Sequence, residues 1–266
     1  MAEGIKDKRF EFGDNWKNFL KHVDSSQIRE AEKSLVEKTG LPSFQGKTFL
    51  DVGCGSGLFS LAAGNLGAKV HSFDYDKNSV ACAMELQNRF HSGNSAWTIE
   101  QGSALDSDYL ASLGQYDIVY SWGVLHHTGN MYAALENALK NVKASGILFI
   151  SIYNDQGVES RMWRIFKRFY ISAPKPVKLL MTVFVIFRFE LLTVIKRLLS
   201  LKSPLKTKER GMDLWHDAVD WAGGYPFEVA KPEEIVGFCN ARGFKLEKLA
   251  TSGSGCNEYV FRKTQG

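Results

Sequence analysis

The chain has 266 residues, 44% of them hydrophobic and 23% charged, with a formal net charge of +4. That balance suits a soluble globular chain long enough for one sizeable core, or one core plus an insertion. Cysteines 54, 82, 239 and 256 show no CxxC or other metal spacing, and residues 1–7 lack the apolar core of a signal peptide, so no metal is expected and the expected setting is the reducing cytoplasm.

Residues 1–15 are polar and without period. Phe10, Phe12, Trp16, Phe19 and Leu20 then fall at roughly helical spacing, and Ser25 or Ser26 is a suitable N-cap for a helix over 27–38, stopped by Gly40 and Pro42. Residues 1–44 are read as a helix packed on the core or, in the sharper reading, as a helical lid over the glycine turn with Trp16 touching the ligand. From residue 47 strands and helices alternate: strands over 47–52, 69–74, 97–101, 116–122 and 146–153, helices over 58–66, 78–90, 108–113 and 131–142. That rhythm predicts an α/β fold with a parallel sheet covered on both faces, and ligands at the carboxyl ends of its strands. The rhythm breaks over 154–230. It returns with a helix over 232–242 and two strands, 244–251 and 257–263, joined as an antiparallel hairpin.

The first strand ends in Asp51-Val52-Gly53-Cys54-Gly55-Ser56-Gly57, a strand, a tight glycine turn and a helix start. Glycines at alternate positions let a ligand approach the backbone, and the helix start offers amides and a positive dipole end. Nicotinamide, flavin and S-adenosylmethionine proteins all use such a turn. The spacing departs from the dinucleotide fingerprint Gly-x-Gly-x-x-Gly, and Asp51 directly before the turn would repel a pyrophosphate. It suits an ammonium group. Asp74 ends the second strand, where an acid accepts hydrogen bonds from ribose hydroxyls. An amino acid joined to a nucleoside without phosphate satisfies all three features, and that ligand is S-adenosylmethionine.

Residues 50–57 resemble the first motif of the class I S-adenosylmethionine-dependent methyltransferases. Residues 70–76 look like their second-strand acid motif, 101–106 fall where their adenine-contacting motif falls, and 116–127 resemble their fourth-strand motif. The layout is similar to that of the ubiquinone-biosynthesis O-methyltransferases, which carry an insertion after strand five and then a Lys-Pro-x-Glu helix start like Lys231-Pro232-Glu233-Glu234. The resemblance covers about 45–153 and 231–263. It implies a Rossmann-like, seven-stranded, mostly parallel sheet with a C-terminal antiparallel hairpin and a helical cap insertion, in a single domain: a cofactor core over 45–153, a cap over 154–230 and core completion over 231–266. It also implies cofactor contacts from Asp51, Gly53, Cys54, Gly55, Gly57, Asp74, Tyr75, Gly102, Ser103, Ala104, Ser121 and Trp122. The family often has an acid where Ser103 stands; either Ser103 takes that role or Asp106 reaches in.

A sulfonium methyl needs a nucleophile held in line and dry. His126 and His127 follow strand four and are the base candidates; otherwise they shape the pocket. Tyr153 and Asn154 end strand five and are expected to contact substrate. Residues 161–210 carry 13 Lys/Arg and 2 Asp/Glu, a net of +11 within a total of +4, so the rest of the chain is acidic. Over 161–170 charges at 161, 164, 167 and 168 alternate with aromatics at 163, 166, 169 and 170, which reads as a basic and an aromatic helix face. The longest uncharged run, 179–187, is too short to span a bilayer, which takes about 20 residues. A lid with a hydrophobic acceptor pocket is expected here, with peripheral membrane contact through 161–206 and no nucleic-acid binding. Residues 213–228 are read as a functional loop over the pocket, offering His216, Asp217, Asp220 and Tyr225 to the acceptor.

The sequence therefore predicts an S-adenosylmethionine-dependent methyltransferase acting on a small, partly hydrophobic acceptor, at oxygen. The rivals are a non-catalytic cofactor-binding or membrane-interaction module and a nicotinamide-dependent oxidoreductase.

Overall fold

The computed structural model describes residues 23–91, 96–199, 214–253 and 255–265, with the backbone alone for 189–199, 214, 216 and 217. Trp16 and the first half of the expected lid lie outside the described residues.

The strands are β1 (Thr48–Val52), β2 (Lys69–Asp74), β3 (Trp97–Gln101), β4 (Tyr116–Trp122), β5 (Val142–Tyr153), β6 (Phe244–Ala250) and β7 (Cys256–Lys263). They form one sheet in the order β3-β2-β1-β4-β5-β7-β6. The first five are parallel; β7 runs antiparallel to both β5 and β6. Between β1 and β4 the strand order reverses. Loops leaving adjacent strands there diverge to opposite faces and open a crevice.

Alternate residues of each strand serve the two faces. Leu50, Val52, Leu148, Ile150 and Ile152 pack under one helical layer. Phe49, Tyr120, Ile147, Phe149 and Val260 pack under the other. The first layer includes α4 (Ser107–Leu113), α5 (Met131–Lys140) and α9 (Pro232–Asn240). The second includes α1 (Ser25–Thr39), α2 (Leu58–Asn65) and α3 (Lys77–Phe90). A cap follows β5, made of α6 (Val158–Ser172), α7 (Lys175–Leu199) and α8 (Leu214–Gly223).

Four local readings are corrected. The α1 N-cap is Asp24, whose carboxylate accepts from the Ser26 and Gln27 amides, while Gln27 bonds back to the Asp24 amide in a capping box. Helix α5 stops at Lys140, because the Asn141 side chain donates to the carbonyls of Leu110 and Gly114 and the chain turns into β5 there. Much of the expected 213–228 loop is helix α8, held by Ala218 and Ala222, which are buried one turn apart. The two faces of α6 also differ from the basic-and-aromatic reading. Its inward stripe is Ser160, Trp163, Lys167 and Tyr170, while Met162, Ile165 and Phe169 are exposed.

Candidate active site

Gly53, Gly55 and Gly57 all adopt positive φ, at +80°, +54° and +81°. This brings the turn after β1 against the loop after β4: a Cβ on Gly53 would lie 2.4 Å from Val124 Cγ1. The turn amides are less available than expected. Those of Gly53 and Cys54 donate to the Phe73 carbonyl, that of Gly57 to the Cys54 carbonyl and that of Gly55 to Asp74 Oδ2. These four positions offer a ligand close approach rather than free donors.

Asp51 and Asp74 flank the turn. Asp51 is buried, accepts from Ser60 Oγ at 2.6 Å, and has its carboxyl pushed up to about 7 by burial. Ser60 in turn meets Ser72 Oγ, which accepts from Trp97 Nε1. Asp74 accepts from Gly55 N through Oδ2 and Asp76 N through Oδ1, and burial raises it to about 6. The Tyr75 backbone also favours the charged form of Asp74. Two desolvated carboxyls beside a glycine turn suit a ligand bringing an ammonium group and hydroxyl donors, because such partners stabilise the charged forms that burial penalises. The residues present therefore fit S-adenosylmethionine, with Asp74 for the ribose and Asp51 lending negative charge behind the turn.

Around the β2 and β3 ends, Tyr75 is exposed, and a Cβ on Gly102 would meet the Tyr109 ring at 2.4 Å. Ser103 Oγ accepts from the Leu105 amide, and Ala104 gives its carbonyl to Asn137. The Asp106 carboxylate caps α4 through the Asp108 and Tyr109 amides, which ties it to the helix. Ser121 Oγ donates to the Val52 carbonyl, joining β4 to β1. Trp122 Nε1 donates to Glu258 Oε1, and Glu258 also pairs with Lys38 of α1.

The histidines lie at the β4 end, on a short 3₁₀ turn, Leu125–His127. His127 is partly exposed and bonds the Pro226 carbonyl through Nδ1 at 2.6 Å, which leaves Nε2 as its lone-pair nitrogen. Burial pushes it down to about 3. His126 is fully buried; neither ring nitrogen has a partner in good hydrogen-bond geometry, and the Ser151 backbone is the polar group that favours its charged form. Burial first, then the charges of His127 and Lys167, drive it well below the ordinary histidine range. The Tyr153 ring packs on both, 4.2 Å from His126 and 5.5 Å from His127 between centroids.

Tyr153 also joins the histidines to the cap. A narrow cleft with about 20 Å³ of free space, room for roughly one water, lies there, lined among others by Tyr153, Asn154, Glu159, Trp163, Trp221 and Phe227. The rings are in mutual contact, with Trp163 and Trp221 4.4 Å apart. Asn154 is held by Ser252 and Asn257 of the β6–β7 hairpin. The segment after α8 is clamped to the histidine loop: the Glu228 amide donates to the His126 carbonyl and its carboxylate accepts from the Met131 amide. His216 and Asp217 lie on α8, with side chains outside the described residues. Tyr225 is half-buried, and the contact to His127 comes from its neighbour Pro226. Asp220 acts on Lys167 electrostatically.

Sequence reasoning missed Trp163, Lys167, Trp221 and Phe227 as site residues. Lys167 is fully buried, donates to the Trp221 carbonyl, and places Nζ 3.6 Å from the centre of the Trp221 ring. The i, i+3, i+7, i+10 stripe 160-163-167-170 was the available signal, but a charge on it argued for the outer face. Among the described residues no cluster of side chains suits a metal ion.

A family profile described as a methyltransferase domain matches residues 24–180. A ubiquinone biosynthesis O-methyltransferase from Paraburkholderia xenovorans is 31% identical over 133 residues, 49% of this chain and 54% of that protein. A ribosomal protein L11 methyltransferase from Helicobacter hepaticus is 33% identical over 115 residues, 41% of this chain and 32% of the relative. The chain thus spans about a third to a half of the length of these curated relatives. In fold it is similar to the magnesium protoporphyrin IX methyltransferase of Synechocystis PCC 6803 crystallised with bound SAH, at a TM-score of 0.55, 15% identity and 94% coverage of each chain. An N-methyltransferase from Bradyrhizobium japonicum gives a TM-score of 0.51 at 14% identity, covering 91% of this chain and 99% of that one. With more than half its length matched, and with the Rossmann-like sheet of the class I enzymes, the chain belongs to the S-adenosylmethionine-dependent methyltransferase-domain family.

Proposed function

We propose that the chain transfers the methyl group of S-adenosylmethionine to an oxygen of a small acceptor held under the cap. One observation carries this reading: the glycine turn with its two carboxyls and the His126–His127–Tyr153 group stand at the same end of the sheet, joined through the Gly53–Val124 approach. The cofactor supplies an electrophilic methyl carbon. The protein's part is to orient the acceptor and keep water out, with the aromatic walls of the cleft doing both. His127, tied to the Pro226 carbonyl and pushed down to about 3 by burial, is a weak base and shapes the acceptor end of the site. The O-methyltransferases among the similar sequences support oxygen as the site of transfer.

The cap also favours a membrane surface as a partner. Met162, Ile165 and Phe169 of α6 and Leu180, Val183, Phe184 and Phe187 of α7 are exposed in a segment rich in lysine and arginine. Apolar side chains framed by cations suit an anionic bilayer surface. Among the described residues no helix is long and apolar enough to cross a membrane.

The test of methyl transfer is to incubate the chain with methyl-labelled S-adenosylmethionine and a cell extract and identify the labelled product. Label on an oxygen of a small molecule is the expected result. Calorimetry that finds NADH bound and S-adenosylmethionine ignored overturns the reading. Cofactor binding without turnover over a broad acceptor panel favours a non-catalytic module.

A further inference from the structure

We infer that Glu258 is a positioning residue of the donor site: its carboxylate sets the indole of Trp122 beside the glycine turn and ties that ring to helix α1. The inference rests on the turn being the S-adenosylmethionine site, and it adds to that site a residue from the last strand of the chain.

The placement of Trp122 follows from strand register. β1 and β4 run parallel with Asp51 beside Tyr120, so the glycine turn leaves β1 alongside Trp122, the last residue of β4. The Ser121 hydroxyl, bonded to the Val52 carbonyl, fixes that junction. Residues two apart on a strand share a face. Tyr120 is buried and stacks on Phe59, in the first turn of α2, at 5.1 Å. Trp122 continues this row to the strand end, packs on the same layer and keeps part of its surface open. Asp74, the ribose candidate, ends β2, and in the order β2-β1-β4 the turn lies between it and Trp122. A ligand with its ribose at Asp74 and its ammonium near Asp51 therefore extends toward Trp122 with its amino-acid half.

The hold on Trp122 comes from two strands away. Trp122 pairs with Ser151 of β5, and Ser151 with Glu258 of β7. Directly opposed residues stand on one face, so the three side chains form a row across the sheet. The chain leaving β4 is fixed from this row at two points. Ser151 Oγ accepts from the Gly123 amide at 2.7 Å, and Glu258 Oε1 accepts from Trp122 Nε1 at 2.9 Å. Glu258 Oε2 takes the Lys38 amine of α1, which supplies the countercharge. An indole N–H at a partly open strand end can bond water, so a carboxylate is not needed to satisfy it. What the carboxylate adds is orientation. A hydrogen bond to an ionised acceptor is roughly twice as strong as a neutral one, and at Nε1 it fixes the turn of the ring about its Cβ–Cγ bond. A ring held in this way is a preorganised wall, which lowers the ordering cost of binding against it.

The two bonds of Glu258 separate its roles: the Lys38 bond anchors α1, and the Trp122 bond orients the ring. The test is calorimetry of the full chain with S-adenosylhomocysteine, alongside urea melts. Trp122→Phe and Glu258→Ala are each expected to weaken binding by about fivefold or more, and the double variant to bind within about twofold of the weaker single one, because both changes remove one interaction. Glu258→Gln keeps an acceptor for the indole and loses the ion pair, and Lys38→Met loses the ion pair alone. Both are expected to lower stability alike and to leave affinity within about twofold of the wild type. The difference in emission between the wild type and Trp122→Phe is expected to change on titration with S-adenosylhomocysteine. Unchanged affinity in Trp122→Phe or Glu258→Ala, additive losses in the double variant, or an emission difference that ignores the ligand overturns the proposal. A loss in Lys38→Met as large as that in Glu258→Ala overturns it too, by making Glu258 an anchor of α1 and nothing more. If Glu258→Ala fails to fold, Trp122→Phe, Glu258→Gln and Lys38→Met decide. Wild-type binding that these substitutions do not touch overturns the positioning role alone, and absence of binding by the wild type overturns the donor-site reading beneath it.

Discussion

Substituting Gly53 by alanine tests whether the turn is a point of close approach between two loops. The perturbation has two separable parts. Gly53 sits at φ +80°, a conformation that costs a residue with a Cβ about 1–2 kcal/mol. The new Cβ would also lie 2.4 and 2.6 Å from the two γ-carbons of Val124. Overpacking of that kind costs about 1–3 kcal/mol. The sum, about 2–5 kcal/mol, is a large fraction of the roughly 5–15 kcal/mol that holds a domain together. Val124→Ala removes both γ-carbons, so the double variant recovers the packing part and keeps the backbone part. Urea unfolding of the four proteins of the cycle gives the coupling, expected at about 1–3 kcal/mol of relief with unchanged m-values. Val124 leads directly into the 3₁₀ turn bearing His126 and His127, so Gly53→Ala is also expected to weaken acceptor binding. A Gly53→Ala protein as stable as the wild type, or one that Val124→Ala does not rescue, refutes the reasoning.

Other predictions follow from the carboxyls and the cap. The Asp51 carboxyl is raised from 3.8 to about 7, so the folded chain holds that proton more tightly than the unfolded one. Its contribution to stability is present at low pH and is lost as pH rises from about 4 through about 7; Asp51→Asn is expected to flatten that slope in urea melts of the ligand-free protein, and an unchanged slope counts against the raised value. Asp74→Asn is expected to weaken S-adenosylmethionine binding by about tenfold or more, since it removes a charged acceptor of hydroxyl donors. Calorimetry across pH 5–8 is expected to show wild-type affinity falling below about 6, where Asp74 protonates, and a flat profile in the variant. In co-sedimentation the chain is expected to favour anionic over zwitterionic vesicles and to release them in high salt. Replacing exposed Ile165 and Phe169 by serine is expected to weaken binding at every salt concentration, and vesicle binding that ignores both salt and these residues points to another surface.

The strand ends that position the cofactor were readable because each has a local cause. β2, β3 and β4 begin and end where the sequence places them, since alternating apolar residues meet an acid or a glycine at the carboxyl end. Asp51 and Asp74 were identified by chemistry, as acids where a phosphate ligand would not tolerate them. What each turn amide does was not readable. Whether Gly55 N meets a ligand or Asp74 depends on a carboxylate 19 residues away. Ser121 had the same problem: its hydroxyl bonds the Val52 carbonyl 69 residues distant, a partner that no local pattern reveals.

The acceptor side was hidden for a different reason. A helix with cations and aromatics on every turn has two defensible inward faces, and propensity does not choose between them. In α6 the choice is made by α8, whose Trp221 supplies a carbonyl and a ring face to Lys167. The side chain normally given to solvent is thereby buried, while Ile165 and Phe169 are left exposed. Both departures run against the hydrophobic effect, and both lie in the element that covers the site. A buried lysine with one bonded hydrogen and an outward apolar stripe each carry an energetic cost in the isolated chain. Burial pushes the Lys167 amine well below the ordinary lysine range, which lessens its cost, and the stripe is the surface proposed above to meet a membrane.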